Sequence, residues 1–366
     1  MAAPFLLDAA GEPAFRGRQF VSWDQFTEFQ RVTQRSQTVL TSPEVQGHID
    51  FTEMIVSWNA ELPEQGYLIV EARGFHEGIP TKYYTMGVWS SHSLTHPQTS
   101  VPNQADQDGT VATDTLVLRQ PATRFQVRVT LGGIGRAEPL LKFLGVSLCD
   151  PSVPLSSLAP NRAAWGKTIP VLERSQMAYP NGKVLCSPTT VSMLLSYWAA
   201  RMKQPDLDKH VPEVAEGVYD LAWGGTGNWC FNVAYAGSLP GIRAYVTRLA
   251  DVSEIETWIA AGIPIGLSVD YDRLRAKGPG PNGHLVVCVG FTQTGDVIIN
   301  DPGTSEHVRK VFPRTQLVDA WSCSHNTAYL VYAENVVIPI HPNCHWESHT
   351  NPSIPAVSAR GPQPRN

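Results

Sequence analysis

Cys186 stands directly before a stretch of helical periodicity, where a thiol can be made reactive by its position. A free thiol, with a pKa near ~8.5, holds little thiolate at neutral pH, but the unpaired N–H groups and positive dipole end of a helix favour the anion. His284 follows Pro281-Asn282-Gly283 and opens an apolar run, so a strand would hold its imidazole at a cleft edge. Asp301 closes a second such run and can accept a hydrogen bond from one ring nitrogen. That bond would fix the tautomer and leave the other nitrogen to exchange a proton with Cys186. Cys, His and Asp in this order imply thiolate attack on a carbonyl and a tetrahedral oxyanion. An amine or alcohol then leaves with the His284 proton, and the thioester is hydrolysed. The oxyanion needs donors, for which the Cys186 backbone N–H and the amide of Gln176 are candidates.

The elements that must position these groups are legible around them. Pro188 suits the first turn of a helix, and Val191, Leu194, Leu195 and Trp198 supply its apolar stripe, which predicts a helix to about Met202. Ser253 with Glu256 three residues on predicts a capping box, with Gly262 and Pro264 as the stop. Ile265 to Val269 and Ala328 to Tyr332 read as strands. His284 to Phe291 and Val297 to Asn300 read as a hairpin around Thr292 to Asp296. If residue numbers across this hairpin sum to 585, His284 faces Asp301; a tighter turn at Gly295 would instead pair Asp301 with Cys288. Helices first and strands afterwards predict an α+β domain with an antiparallel sheet over residues 168–335.

Residues 1–150 have a different grammar. Phe125, Val127, Val129 and Leu131 alternate with Gln126, Arg128 and Thr130, as a half-buried strand requires. Further strand candidates are Met54 to Leu62, Tyr67 to Phe75, Tyr83 to Trp89, Asp114 to Leu118 and Leu140 to Leu148. Together they predict an all-β sandwich or jelly-roll-like domain, with Trp23, Trp58 and Trp89 in its core. A Pro-, Ser- and Asn-rich linker occupies 151–167, and the Pro-, Ser- and Arg-rich stretch 336–366 is expected to be a loose tail. Its His341, Cys344, His345 and His349 lack a scaffold, so no metal site is expected, and no cofactor is implied.

Composition narrows the partners. With 28 Lys and Arg against 33 Asp and Glu the formal net charge is -5, which offers no electrostatic footprint for nucleic acid. No apolar stretch of about 18 residues predicts a membrane span. Met1 to Asp8 lacks a basic n-region and long apolar core, so the expected location is cytoplasmic, or secreted if the N-terminus is truncated. The six cysteines form no CxxC pair, and Cys230 and Cys288 are expected as inert core.

Ser175-Gln176-Met177, Leu185-Cys186-Ser187-Pro188-Thr189-Thr190, Gly283-His284-Leu285-Val286-Val287 and Asn300-Asp301-Pro302 together resemble the successive motifs of the bacterial C39-like peptidase family. The resemblance covers roughly Ile169 to Ala333. It implies a papain-like fold with Cys186 as nucleophile, His284 as base, Asp301 as third member and Gln176 as oxyanion donor. Trp223-Gly224-Gly225-Thr226-Gly227-Asn228-Trp229 is similar to a loop of stand-alone members. Its glycines allow close backbone approach, and Trp223 and Trp229 could wall a substrate cleft together with Gly224, Gly225 and Asn228. The expected function is a cysteine hydrolase of peptide or related amide bonds in a peptide or protein substrate. The N-terminal domain would serve as spacer or bind a polymer or carbohydrate. The alternatives are acyl transfer on the same site, transglutaminase-like, or a silent binding module whose three residues do not converge.

Overall fold

The computed structural model describes residues 15–34, 37–133, 137–155, 157–281, 283–340 and 343–347. The N-terminal part consists of β1 (Arg18–Trp23), β2 (Gln30–Gln34), β3 (Gln37–Thr41), β4 (Val45–Glu61), β5 (Tyr67–His76), β6 (Ile79–Pro80), β7 (Tyr84–Ser90), β8 (Gly109–Ala112), β9 (Thr115–Gly132) and β10 (Leu140–Cys149). The two segments expected as separate strands, Asp114 to Leu118 and Phe125 to Leu131, are one long strand. β9 pairs with β4 and β8 through its first half and with β5 and β3 through its second, so it carries the sheet from one group of strands to the other. Alternate residues along it face the core: Phe125, Val127 and Val129 are fully buried, as are Trp58 on β4 and Leu144 and Val146 on β10.

The C-terminal part consists of α1 (Cys186–Met202), α2 (Val211–Gly217), α3 (Trp229–Ser238), β11 (Ile242–Arg248), α4 (Val252–Ala260), β12 (Ile265–Asp270), α5 (Tyr271–Leu274), β13 (Gly283–Phe291), β14 (Val297–Asn300), β15 (Arg309–Phe312), α6 (Arg314–Ser322) and β16 (Thr327–Ala333). Its six strands lie in the order β11-β16-β12-β13-β14-β15, every neighbour antiparallel. β12 and β16 are buried along their whole length, so they read as continuous apolar runs, without alternation. α1 packs against β12, β13 and β16, which brings the N-terminal end of the helix to the start of β13.

Two local expectations are corrected. The N-cap of α4 is Asp251, whose side chain accepts from the Ser253 N–H; Glu256 takes no part in a capping box. It is instead fully buried and accepts from the indole N–H of Trp165 at 2.7 Å, and also pairs with Arg314. In the hairpin, neither expected register occurs. Val287 faces Asn300 and Cys288 faces Ile299, whereas Gly290 faces Ile298 and Phe291 faces Val297. A bulge between Cys288 and Gly290 leaves Val289 unpaired across the hairpin, and its carbonyl accepts from Ile169 N–H at 2.7 Å.

That bulge decides which face Asp301 occupies. With it, the register continues Asp301 toward Val286, on the same sheet face as His284. Without it Asp301 would continue toward Val287 and point away, because one residue of slip exchanges the two faces. Gly290 is required here: a Cβ at that position would collide with the Lys167 carbonyl of the segment laid across the bulge.

The two parts share an extensive contact. Trp58 and Trp89 meet Phe231 of α3 at ring separations of 6.1 and 5.6 Å, and Phe20 stacks on Tyr245 at 4.5 Å. Asn59 Nδ2 donates to the Ala244 carbonyl at 2.7 Å, and Asn59 Oδ1 accepts from Ala244 N–H at 3.1 Å, extending the edge of β11 with a side-chain amide. Gly237 permits this approach, since any Cβ there would overlap the Asn59 amide. The expectation of a loose tail fails for residues 343–347. Trp346 is buried with its ring 5.5 Å from Trp258, Glu347 bonds Tyr332, and the Cys344 carbonyl accepts from Phe20 N–H at 2.6 Å. Local composition signalled polarity there, but tertiary burial of one large aromatic overrode it.

Candidate active site

Cys186 is the first residue of α1, and the preceding Leu185 provides no side-chain cap, so the first-turn N–H groups keep their field for the sulfur. The thiol is half-buried and lies beside the His284 imidazole. Burial alone would raise its pKa. The His284 bond and charge, with the N–H groups of Leu285 and Ser187, outweigh burial and hold it below the ordinary thiol value.

His284, on β13, is buried, and its Nε2 lies 2.8 Å from Asp301 Oδ1. That leaves Nδ1 for the sulfur. Burial works against its charge, but the bonds to Asp301 and Cys186 prevail and raise its pKa from 6.5 to about 9. Asp301 is likewise buried, which would raise its pKa. The bond and charge of His284, the Gly303 N–H at 2.9 Å and the Tyr271 hydroxyl at 3.1 Å together bring it below the ordinary carboxylate value. A lowered thiol pKa beside a raised imidazole pKa favours the thiolate–imidazolium form of the pair.

Tyr271 was not foreseen. Its ring lies over the His284 imidazole with centroids 3.9 Å apart and planes 34° apart, while its hydroxyl donates to Asp301 Oδ2. Arg275 covers its other face at 3.8 Å. The local cause is a strand-to-helix turn: Asp270 ends β12, caps α5 through the N–H groups of Asp272 and Arg273, and so places the next residue at the sheet edge. An Asp at the end of an apolar run, followed by an aromatic, is the signal that could have singled it out.

Gln176 sits in a short 3-10 turn capped by Ser175, whose hydroxyl in turn donates to the Thr304 carbonyl at 2.6 Å. The Gln176 N–H donates to the Pro302 carbonyl at 3.0 Å, which ties this turn to the residue after Asp301. Its side chain is only 4% exposed, and Oε1 has no hydrogen-bond partner among the described residues. Leaving this acceptor unpaired costs about 1–3 kcal/mol, and an oxyanion would be served by the Nε2 donor of the same amide instead.

The residues expected to line a cleft divide. Gly224 and Gly225 line a cavity of about 1050 Å³ together with Leu185, Val184, Met177 and Tyr219. Trp223 is 50% exposed and lays its ring over Gly225 and Gly227. Asn228 is fully buried and structural: Oδ1 accepts from Phe231 N–H to cap α3, and Nδ2 donates to Asp220. Trp229 packs against the core, with its N–H donating to Asp114 Oδ2 at 2.6 Å. Cys230 and Cys288 are buried, and burial raises both thiols, Cys288 to about 12. In the tail, His345 is buried between Glu254, 2.8 Å from Nδ1, and the Phe15 carbonyl, 2.8 Å from Nε2. Among the described residues no three His, Cys, Asp or Glu side chains cluster as a metal site, and His341 and His349 lie outside those residues. No described helix is long and apolar enough to cross a membrane.

Comparison with known proteins divides the chain at the same place. Residues 168–329 match the Peptidase_C39 like family, and residues 19–148 match the Peptidase C39 N-terminal domain. No curated protein matches the chain. Among solved structures, one described as a carbohydrate-binding module of the β-sandwich superfamily is 11% identical over 38% of this chain, with TM-score 0.17. The CBM22-1–GH10 modules of Clostridium thermocellum xylanase 10B are 9% identical over 47%, with TM-score 0.18. The chain spans 58% and 34% of those two. The VPA0106 protein from Vibrio parahaemolyticus is 12% identical, with 89% of this chain and 90% of that one covered and a TM-score of 0.17.

Proposed function

We propose that this chain, whose residues 168–329 match the Peptidase_C39 like family and whose residues 19–148 match the Peptidase C39 N-terminal domain, hydrolyses peptide or related amide bonds through Cys186, His284 and Asp301. One observation carries this reading: a buried imidazole lies between a thiol of lowered pKa and a carboxylate 2.8 Å from its Nε2.

The steps follow from those positions. The Cys186 thiolate attacks the carbonyl carbon; a C–S bond forms and the carbonyl π pair moves to oxygen. In this reading the Cys186 backbone N–H and the Gln176 amide N–H donate to that oxyanion. As the oxyanion collapses, the C–N bond breaks and the amine leaves with the His284 proton. Neutral His284 then takes a proton from water while the water oxygen attacks the thioester. Collapse of this second oxyanion breaks the C–S bond, releases the acid and restores the thiolate. Asp301 holds the ring orientation and stabilises the imidazolium at both ends of the cycle. Tyr271 is a positioning residue, shielding the His284–Asp301 bond from water on one face.

A thiol-directed electrophile tests the reading. Cys186 should react faster than the other five cysteines at pH 7, and His284→Ala should abolish the difference, while a peptide mixture should be cleaved by wild type and left intact by Cys186→Ala. Equal labelling of all six thiols would sink it.

A further inference from the structure

The cavity of about 1050 Å³ is lined wholly by residues of the C-terminal part, among them Leu185, the residue before Cys186. Glu216 and Tyr219 line it and also line a second cavity, of about 910 Å³, which opens between the two parts of the chain. Because they share Glu216 and Tyr219, the two lie side by side, the near and far halves of a trench. Its near end is bounded by Leu185, the residue before the nucleophile, and by Gly224 and Gly225 across from it, with the Thr226 hydroxyl donating to the Val184 carbonyl at 2.9 Å. The far end is bounded by Leu62, Trp89 and the Ser91–Leu94 loop of the N-terminal part, facing Glu213 and Tyr235.

The N-terminal part also holds the near wall in place. Gln98 Nε2 donates to the carbonyls of Gly217 and Tyr219 at 3.0 and 3.1 Å, and the Ser100 N–H and hydroxyl donate to Asp220 Oδ1 at 2.9 and 3.0 Å. Asp220 in turn accepts from the N–H groups of Gly224 and Trp223, through its backbone carbonyl and its carboxylate respectively. The glycine loop beside the nucleophile is thus shaped by residues 98–100 of the other domain.

We infer that the N-terminal domain supplies the distal half of the substrate cleft, and that the trench takes an extended polypeptide, apolar near Cys186 and basic farther along. This rests on the hydrolase reading above, for which Cys186 marks the reacting end. Apolar side chains border both halves, with Val184 62% exposed near the nucleophile and Leu94 89% exposed at the far end. The far half is lined by the carboxylates of Glu61, Glu213 and Glu216 and by no Lys or Arg. Glu61 and Glu213 have external partners in Lys142 at 3.4 Å and Lys209 at 2.8 Å, and the near half contributes one cation, Lys183. A chain in extended form advances about 3.3–3.6 Å per residue, so a peptide must be several residues long to feel both halves.

The test separates binding from turnover. Full-length Cys186→Ala is titrated with fluorescein-labelled leucine- and alanine-based peptides whose distal half carries lysines, glutamates or neither. The lysine peptides should bind about tenfold tighter than the glutamate peptides at low salt, and shortening them to the near half should erase the preference. Glu61→Lys with Glu216→Lys, both on the surface, should invert it. Equal binding of all three peptides, or a preference that survives charge reversal or shortening, overturns the inference. If wild type binds the lysine peptides selectively yet cleaves none, the trench assignment is supported and the hydrolase reading fails.

Discussion

Asp301→Asn isolates the charge behind His284 while keeping the shape of the side chain. His284 titrates at about 9 against an ordinary 6.5, which favours the imidazolium by roughly 3 kcal/mol. Burial opposes this, so Asp301 and Cys186 together supply more than the net figure. Removing the Asp301 charge should lower the His284 pKa by about 1–2 units. At pH 8 the imidazolium fraction would then fall from about nine-tenths to between roughly one-half and one-tenth. The assay is kcat/KM against pH. Wild type should lose activity as pH rises through about 9, and Asp301→Asn should lose it about 1–2 units earlier, with part of the activity recovered near pH 6. Stability carries the same sign. The folded pKa is the raised one, so the contribution is complete below about 6.5 and disappears as pH rises through about 9; urea melts of the variant should be flatter over that window. A variant whose alkaline limb stays at about 9, with activity reduced equally at every pH, would refute the electrostatic role.

Gly290→Val should force the 165–169 segment off the bulge, costing about 1–3 kcal/mol in chemical denaturation and lowering kcat/KM by weakening the His284–Asp301 bond; a conformationally neutral outcome in both measurements would contradict the register argument. Burial raises Asp114, at the seam beneath Trp229, from 3.8 to about 6, against the opposing pull of the Trp229 N–H. Native Asp114 thus binds its proton more tightly than unfolded Asp114, so its contribution is full below about pH 4 and lost as pH rises to about 6. Asp114→Asn should therefore gain up to about 3 kcal/mol at pH 7 and nothing below pH 4, read from urea midpoints at the two pH values. Truncation after Ile340 removes buried Trp346 and should destabilise the chain by about 3–5 kcal/mol, lowering its melting temperature, and Trp346→Ala in the full chain should lose a comparable amount.

What could be read in advance depended on how far away the deciding contact lies. α1 and the strands β12, β13, β14 and β16 are specified by their own periodicity and punctuation, and they emerge within a residue or two of where the pattern puts them. The register between β13 and β14 is not local. It turns on a bulge stabilised by Lys167 and Ile169, which lie far away in sequence and leave no trace in the hairpin itself. The cap of α4 was misread for a related reason: Glu256 has the spacing of a capping box, but Trp165 and Arg314 recruit it into the interior, and Asp251 caps instead. Cys186, His284, Asp301 and Gln176 could be named from motif and element position. Tyr271 could not, because its role exists only through what it covers. Residues 343–347 look like solvent-loving chain until Trp258 and Tyr332 are brought beneath them.

The bond from Phe20 N–H to the Cys344 carbonyl joins residues 344 − 20 = 324 positions apart, with β1 on one side and the docked tail on the other. Loop closure over such a span is entropically slow to reach and is repaid only after both parts have formed. During synthesis, β1 emerges early, but the strap that crosses it arrives only after the whole C-terminal part has been made. The Phe20–Cys344 contact is therefore made last, and a nascent chain would pass through a state in which residues 98–100 already hold the 217–220 turn while the strap over β1 is still open.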